Sequence, residues 1–300
     1  MNTRVTIGLC VRNCENSVKE ALASINQQSY PHELIELIIV DDGSTDQTCS
    51  VTENYLSRTG LNTQIFHHNW KGLGPTRNVV VNKAKGSYIV WVDGDMILPS
   101  DYVRKQVKFM TEHPEVAIAK AKYAIYETSS LPAYLENIDA FMEFLNDKQG
   151  VTSKPLGTGG SIYRVKAIRQ IGGFDEKIKG AGEDMDVEMR LRQAGWSLCI
   201  SQATFYEMRR TSWRALWNEY SWHGCGMKTV FQKNKRPSSA LHMMFPPTAV
   251  LAKLLRSRDA YKVVFRKSVF LLPLHWLFKR MAWLSGLALK RPKGNECVAS

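Results

Sequence analysis

Short apolar runs alternate with longer amphipathic segments along the first part of the chain. The apolar runs predict β-strands at residues 5–11, 34–40, 63–67, 88–92 and 116–123. The intervening segments place apolar residues at helical spacing and predict helices at 17–28, 73–85 and 102–110. Strands that alternate with helices form a sheet that is covered by helices on both faces. The pattern therefore predicts an α/β fold.

The second part of the chain has a mixed pattern. It predicts a helix at 133–146, a strand at 161–165 and a further helix that begins near Glu183. Gly157, Gly159 and Gly160 lie just before that strand, where they form either a plain turn or a backbone that approaches a ligand closely. The acidic start of the last helix suits the positive end of a helix dipole. Alternatively, one of its carboxylates points into a cleft as a general base.

Two acidic clusters lie where predicted strands end. Asp41 and Asp42 follow the second strand, and Asp93 and Asp95 flank Gly94 after the fourth. Carboxylate oxygens bind hard divalent cations, which often keep coordination positions open for phosphate oxygens. An Asp-Gly-Asp tripeptide is also an ordinary turn. Because ligands of open α/β sheets bind at the carboxyl ends of the strands, the position of both clusters favours a metal and phosphate site.

Several short motifs follow one another along residues 4–230. They are Asn13-Cys14-Glu15, Asp41-Asp42-Gly43-Ser44-Thr45-Asp46, Arg77-Asn78, Asp93-Gly94-Asp95, Gly159-Gly160, Gly172-Gly173-Phe174-Asp175-Glu176 and Gly182-Glu183-Asp184-Met185-Asp186. No single motif is decisive, but in this order they make the chain resemble the family 2 glycosyltransferases. The resemblance implies a GT-A fold, which is a Rossmann-like mixed sheet flanked by helices.

The resemblance also implies a nucleotide-sugar donor, usually a uridine diphosphate sugar, and an inverting transfer. Asp42, with Glu15, would hold the nucleoside, and Asp41 is a neighbouring candidate. Arg77 would contact the base or the diphosphate. Where many members carry Pro-Thr-Tyr, this chain has Cys10-Val11-Arg12, so the identity of the base stays open.

The same resemblance implies a metal and a base. Asp95 would bind Mg²⁺ or Mn²⁺ directly, and Asp93 would contact the ribose or the metal. Asp184, with Glu183 beside it, would deprotonate the acceptor hydroxyl. Glu207 lies near the place where many members carry a histidine that helps to bind the metal or the diphosphate, so it is either an oxygen ligand or a bystander.

Charge divides the chain into two parts. Fifteen Lys or Arg residues and a single acid, Asp259, lie between Lys228 and Lys293, whereas the rest of the chain carries 25 bases and 27 acids. We therefore predict a glycosyltransferase domain at residues 1–230. A basic, aromatic-rich, amphipathic helical tail would follow at 231–300.

The tail has two interpretations. Lys279-Arg280 and Pro273 interrupt its apolar runs, which disfavours a membrane-spanning helix. The tail could lie in the interface of an anionic membrane, with Trp276 and Trp283 at headgroup depth. Six bases would then face the lipid, namely Lys253, Arg256, Arg258, Lys262, Arg266 and Lys267. The alternative is a solvated basic face that is packed on the enzyme.

Three functions fit parts of this pattern. A nucleotidyltransferase would carry a glycine-rich loop after the first strand, where this chain has Arg12-Asn13-Cys14-Glu15. A nucleic-acid-binding protein would use the basic tail, but the acidic strand ends and the apolar stretches disfavour it. We predict transfer from a nucleotide sugar to a lipid-linked or cell-surface glycan acceptor, with no nucleic-acid partner.

The expected location follows from two further features of the sequence. The six cysteines have no zinc-like or disulfide-like spacing, and no signal peptide precedes the first predicted strand. Scattered cysteines are typical of a reducing compartment. We therefore expect a cytoplasmic enzyme that is peripheral on the inner face of the cell membrane.

Overall fold

The chain forms two compact units in a computed structural model that describes residues 3–178, 180–234 and 247–288. The first unit comprises Met1–Ala124, Asp147–Lys179 and Glu183–Met208. The second comprises Ile125–Asn146, Gly180–Gly182 and Arg209–Ser300.

The first unit is a mixed α/β structure. Its strands are β1 (Val5–Val11), β2 (Ile35–Asp42), β3 (Asn62–His68), β4 (Tyr88–Asp93), β5 (Met96–Ile97), β6 (Val116–Tyr123), β7 (Gly150–Val151), β8 (Ser161–Arg164) and β9 (Ser197–Glu207). Its helices are α1 (Val18–Asn26), α2 (Thr48–Leu56), α3 (Leu73–Lys83), α4 (Tyr102–Glu112), α6 (Val165–Gln170) and α7 (Glu183–Gln193). The second unit contains α5 (Leu131–Phe144), α8 (Trp213–Asn234), α9 (Pro247–Val264) and α10 (Leu272–Ala288).

The sheet of the first unit has a parallel half and a mixed half. Its strand order is β3-β2-β1-β4-β8-β6-β9-β5, and β7 pairs with β9. The first four strands in this order are parallel, whereas β8 runs antiparallel to both β4 and β6. This arrangement confirms the predicted mixed sheet with flanking helices.

Strand formation follows from continuous apolar runs that are buried on both faces. Val5, Ile7 and Leu9 of β1 are fully buried, as is Val90 of β4. Central parallel strands have nearly continuous apolar sequences because helices cover both faces of the sheet. The adjacent ends of β1, β2 and β4 consequently lie at one edge, and the polar residues that follow them share that edge.

The second unit buries a cluster of charges between its helices. Lys279 Nζ lies 2.5 Å from Glu136 Oε1 and 3.0 Å from Asp139 Oδ2. Lys253 Nζ contacts Asp139 Oδ1 at 2.5 Å. Burial raises the pKa of Asp139, but Lys279 and Lys253 outweigh it and hold that pKa well below its ordinary value. Since removing one member of a buried ion cluster leaves uncompensated charge, these contacts fix α9 and α10 against α5.

The burial of this cluster corrects the detailed expectation for the tail. Trp276 and Trp283 are only 5% and 7% exposed, so they are not available at headgroup depth. Lys253 is engaged with Asp139, and Arg256 lies 3.2 Å from the same carboxylate. These two bases are held by internal acids, which the sequence pattern of the tail alone did not reveal.

Apolar side chains of α10 are exposed instead. Leu274, Leu277, Met281 and Leu284, which recur at positions i, i+3, i+7 and i+10, form what we call the α10 stripe, and each is at least 41% exposed. Across the described residues, no helix combines the length and the hydropathy needed to cross a bilayer. The α10 stripe is therefore a lateral apolar face on a helix whose only Lys, Arg, Asp or Glu residues are Lys279 and Arg280.

We expect the stability of the second unit to fall as the pH drops from about 6.5 to about 4. Burial and the nearby Lys279 charge lower the pKa of His275 from 6.5 to about 4. Within that window the unfolded chain binds a proton that the folded chain excludes, so the loss reaches about 3 kcal/mol. Hydrogen–deuterium exchange of the α10 amides against pH measures it.

His275→Gln should flatten this pH dependence. His113→Gln, which removes an exposed histidine of the first unit, is the matched control and should leave the slope unchanged. An unaltered slope in the His275 variant would contradict the assignment.

Candidate active site

Three neighbouring strands bring the acidic clusters to one edge of the sheet. In the parallel register, Val11 of β1 pairs with Asp41 of β2, and Cys10 pairs with Asp93 of β4. The loop after β1 therefore lies between the two acidic strand ends. The predicted coincidence of these clusters at one edge agrees with this register.

The loop after β1 is tied to the start of α2. Asn13 has a positive φ of 48°, and its Oδ1 accepts a hydrogen bond from Thr45 N at 2.8 Å. Glu15 Oε2 accepts from Gln47 N at 2.8 Å, so this predicted nucleoside ligand already satisfies a helix N-terminus. Its place at the edge is fixed by that bond.

Asp41 and Asp42 are both buried and both accept backbone hydrogen bonds. Asp41 accepts from the Ser44 amide at 3.1 Å and from the Ser44 hydroxyl. Asp42 accepts from Lys71 N at 2.7 Å and Gly72 N at 3.0 Å. These hydrogen bonds shape the two loops that border the edge of the sheet. Contact of Asp41 or Asp42 with a nucleoside stays a prediction.

Arg77 lies within the protein rather than on its surface. It is 5% exposed, its Nη1 donates to Glu183 Oε1, and its Nη2 lies 3.7 Å from Asp93 Oδ1. Burial lowers the pKa of Arg77, but Glu183 and then Asp93 outweigh it and raise that pKa. Burial raises the pKa of Glu183, and Arg77 opposes that rise. Arg77 thus joins α3, the end of β4 and the start of α7.

The glycine segment before β8 lies against both candidate carboxylates. A Cβ at Gly159 would lie 2.5 Å from Asp93 Oδ2, which requires a residue without a side chain there. At Gly157, where φ is +71°, a Cβ would lie 3.6 Å from Asp184 Oδ2. The segment therefore lies beside both the β4 carboxylate and the α7 carboxylate, and its close approach to a ligand stays a prediction.

Glu188 is a residue of this site that our sequence reasoning missed. Its Oε1 accepts from Leu156 N at 2.9 Å and from Gly157 N at 2.8 Å, which holds the glycine segment in place. Burial and then the neighbouring Asp184 charge raise the pKa of Glu188 to about 7. The i,i+4 spacing of Asp184 and Glu188 on one helix was the available signal.

Asp95 lies immediately before β5 and Glu207 at the end of β9, two strands that pair with each other. Met96 of β5 pairs with Glu207 of β9 in antiparallel register, and Met208 N donates to the Asp95 carbonyl oxygen at 2.8 Å. The predicted third ligand therefore lies opposite the residue that follows Asp95. Asp93, Asp95 and Glu207 offer only carboxylate oxygens, which is the donor set of a hard divalent cation.

These contacts separate the predicted residues into two groups. Arg77 contacts Asp93 and Glu183, the glycine segment lies beside Asp93 and Asp184, and Glu207 pairs with Met96, the residue that follows Asp95. Glu15, Asp41 and Asp42 border the same edge, where they hold backbone amides.

A family model described as Glycosyl transferase family 2 matches residues 6–172. The poly(ribitol-phosphate) beta-N-acetylglucosaminyltransferase TarS of Staphylococcus aureus is 32% identical over 201 residues, covering 66% of this chain and 34% of that protein. Glycosyltransferase GlyA of Streptococcus pneumoniae is 24% identical over 237 residues, covering 74% of this chain and 33% of that protein. The chain thus spans about a third of the length of these relatives.

Solved structures share the fold. The mannosyltransferase PcManGT from Pyrobaculum calidifontis, in complex with GDP-Man and Mn²⁺, superposes with a TM-score of 0.67 at 16% identity, covering 95% of this chain and 86% of that one. TarS 1-349 of S. aureus in complex with UDP-GlcNAc gives a TM-score of 0.55 at 17% identity, covering 95% and 90%. At such identities the likeness concerns the fold alone.

We expect Glu183→Ala to destabilise the first unit by about 3–5 kcal/mol, because it leaves the buried Arg77 guanidinium without its closest partner. The free energy of unfolding from chemical denaturation measures this loss. Glu115→Ala removes an exposed acid that pairs with His113 and should cost less than about 1 kcal/mol. An equal decrease in the free energy of unfolding in the two variants would show that the buried Arg77–Glu183 pair stabilises the unit no more than an exposed pair does.

Proposed function

Because the chain belongs to glycosyl transferase family 2, we propose that it is an inverting hexosyltransferase. It would move a sugar from a nucleoside-diphosphate donor to a glycan or lipid-linked acceptor. The observation that carries this proposal is the contact of one glycine segment with both Asp93 and Asp184. In this proposal, Asp93 would serve the donor side of the site and Asp184 would be the base on the acceptor side.

We assign four residues to donor binding, namely Glu15, Asp41, Asp42 and Arg77. The three carboxylates shape the loops that border the edge of the sheet, and Arg77 brings a positive charge beside Asp93. A uridine diphosphate sugar is our choice of donor, supported by the relative TarS, whose solved form carries UDP-GlcNAc. A guanosine nucleotide, GDP-Man, is present in the mannosyltransferase neighbour. The Arg12 guanidinium lies 5.7 Å from the centre of the Trp70 ring beside this edge, where the two side chains could select the base.

The chemistry requires the leaving diphosphate to be neutralised and the acceptor hydroxyl to be deprotonated. A divalent ion, Mg²⁺ or Mn²⁺, bound by Asp95 with Asp93 and Glu207 would supply Lewis-acid stabilisation of the leaving diphosphate. Asp184 would accept the proton from the acceptor hydroxyl. Glu188 lies one helical turn from Asp184, and its carboxylate holds the glycine segment that borders Asp184.

Arg77 and Glu183 then have positioning roles. Arg77 holds Asp93 from one side, and Glu183 fixes the start of the helix that carries Asp184. Glu183 is thus assigned to the support of the base rather than to proton transfer. The family match favours sugar transfer over the nucleotidyltransferase and nucleic-acid-binding alternatives.

A cell-surface polymer is the proposed acceptor class. The relatives include TarS, named for poly(ribitol-phosphate), and a putative glycosyltransferase EpsE of Bacillus subtilis that is 25% identical over 219 residues. The name of TarS supports a polymer as the acceptor, and the name of EpsE supports glycosyl transfer alone.

Two variants separate donor binding from chemistry. We expect Asp95→Asn to lose metal-dependent nucleotide-sugar binding together with transfer, because it removes the direct metal ligand. Asp184→Asn should keep the donor affinity but lower turnover by about 10²-fold or more, because it removes the base. Isothermal titration with a panel of nucleotide sugars and Mn²⁺, followed by product analysis, measures both and identifies the donor.

Asp101→Asn serves as the control, since Asp101 is an exposed acid that pairs with Lys105. It should leave binding and transfer unchanged. Full turnover by Asp184→Asn would remove that residue as the base, and retained metal-dependent binding by Asp95→Asn would remove the metal assignment.

We further propose that the protein works on the inner face of the cell membrane, through its second unit. The support is the α10 stripe together with exposed bases of the same unit, namely Arg258, Lys262, Arg266 and Lys267. An apolar face joined to positive charge suits the interface of an anionic bilayer.

Leu277→Gln combined with Met281→Gln should release the protein from anionic vesicles, because it removes the centre of the α10 stripe. Co-sedimentation with phosphatidylglycerol vesicles measures binding, and phosphatidylcholine vesicles test the part played by charge. The matched control is Val151→Gln, an exposed apolar residue of the first unit. Unchanged sedimentation of the double variant would refute the membrane role of the stripe.

A further inference from the structure

Asp41, Cys49 and His67 bring three different metal-ligand types to one point of the first unit. Asp41 is the next-to-last residue of β2, His67 lies opposite it on β3 in the parallel register, and Cys49 lies in the first turn of α2. The carboxylate oxygen, the thiol sulfur and the imidazole nitrogen all lie within 4.8 Å of one another. None of the three belongs to the Asp93, Asp95 and Glu207 group.

The spacing of these atoms suits a tetrahedral ion. Cys49 Sγ and His67 Nδ1 are 3.7 Å apart. In a tetrahedral zinc site, bonds of about 2.3 Å to sulfur and about 2.0–2.1 Å to nitrogen place those two ligands roughly 3.6 Å apart. A zinc ion could therefore bind both atoms with little movement of either residue.

A supporting carboxylate lies behind the imidazole. His67 Nδ1 faces Cys49, and its Nε2 lies 3.5 Å from Glu53 Oε1 one turn further along α2. Histidines that bind metals through one ring nitrogen usually donate from the other to a carboxylate, which fixes the ring and the tautomer. Glu53 is placed to do this.

A second trio of potential metal ligands, in the second unit, already binds the ammonium group of a lysine. Glu136, Asp139 and His275 are also close together, but the Lys279 ammonium already lies between the two carboxylates. In the trio of the first unit, the thiol of Cys49 and the ring of His67 face Asp41 and Glu53, so the local charge is negative. A cation is the species that such a group attracts.

We propose that Asp41, Cys49 and His67 bind a zinc ion, with Glu53 orienting His67 and a water or an external ligand in the fourth position. The thiolate and imidazole donors favour zinc over magnesium, whereas the aspartates at the end of β4 favour the reverse. Zinc would join α2 to the edge formed by β2 and β3. The proposal does not rest on the sugar-transfer function, because it needs no donor or acceptor.

Zinc binding by the intact 300-residue chain after treatment with a chelator tests the proposal. Isothermal titration with Zn²⁺ should give one tight site that excess Mg²⁺ does not displace. His67→Gln should weaken it by more than about tenfold, and Glu53→Gln by about tenfold. Titration with Co²⁺ should produce a thiolate-to-metal charge-transfer band that is lost in Cys49→Ser.

Matched controls are available in the same unit. His113 also pairs with a glutamate at 3.5 Å and is similarly exposed, so His113→Gln should leave zinc affinity unchanged. Cys14→Ser removes another free, partly buried thiol and should keep the cobalt band. Circular dichroism of each variant distinguishes a lost ligand from a lost fold.

Absence of a tight zinc site in the folded wild-type protein would overturn the proposal. So would zinc binding that survives Cys49→Ser and His67→Gln but disappears in Asp95→Asn, since the ion would then sit at the aspartate pair. Loss of sugar transfer with zinc binding intact would bear only on the proposed enzymatic function.

Discussion

The contact between Arg77 and Glu183 is the constraint on which the candidate active site depends. Both side chains are almost completely buried, and they come from helices that are more than a hundred residues apart in sequence. A buried guanidinium needs its carboxylate partners, so the pair sets where α7 begins relative to α3. Asp93 lies on one side of this pair, and Asp184 follows it directly in the chain. The glycine segment at 157–160 can then contact both carboxylates at once.

A second buried charge cluster plays the same part in the second unit. Lys279 and Lys253 lie against Glu136 and Asp139, so α5, α9 and α10 are joined by ionic contacts in addition to apolar packing. Such clusters add little net stability compared with apolar packing, but they tolerate few alternative arrangements. Some bases of the tail are therefore engaged by internal acids of the second unit, whereas Arg258, Lys262, Arg266 and Lys267 are exposed.

The sequence was most informative where local pattern decides structure. The strands at Val5–Val11 and Val116–Tyr123 were predicted to the residue, because an uninterrupted apolar run between polar segments has few other solutions. The family motifs identified the fold and the candidate site residues.

Contacts between residues distant in sequence could not be predicted. The sequence around Arg77 does not indicate whether its side chain is exposed or buried against Glu183. Likewise Trp276 and Trp283 have the composition of an interfacial helix, but acids on α5 draw their helix into a packed unit. The three residues proposed for zinc come from three elements, so no cysteine spacing could indicate them.

The ionic anchoring of α10 bears on how this protein can be prepared. A helix with an exposed apolar face invites truncation to improve solubility and expression. Cutting the chain before α9 would remove Lys253 and Lys279 together and would expose the apolar side chains of α5 that pack against the removed segment. Shorter versions would therefore aggregate through misfolding of α5 rather than become easier to handle. Polar substitutions at exposed positions of an intact α10 are the better way to improve the solubility of the protein.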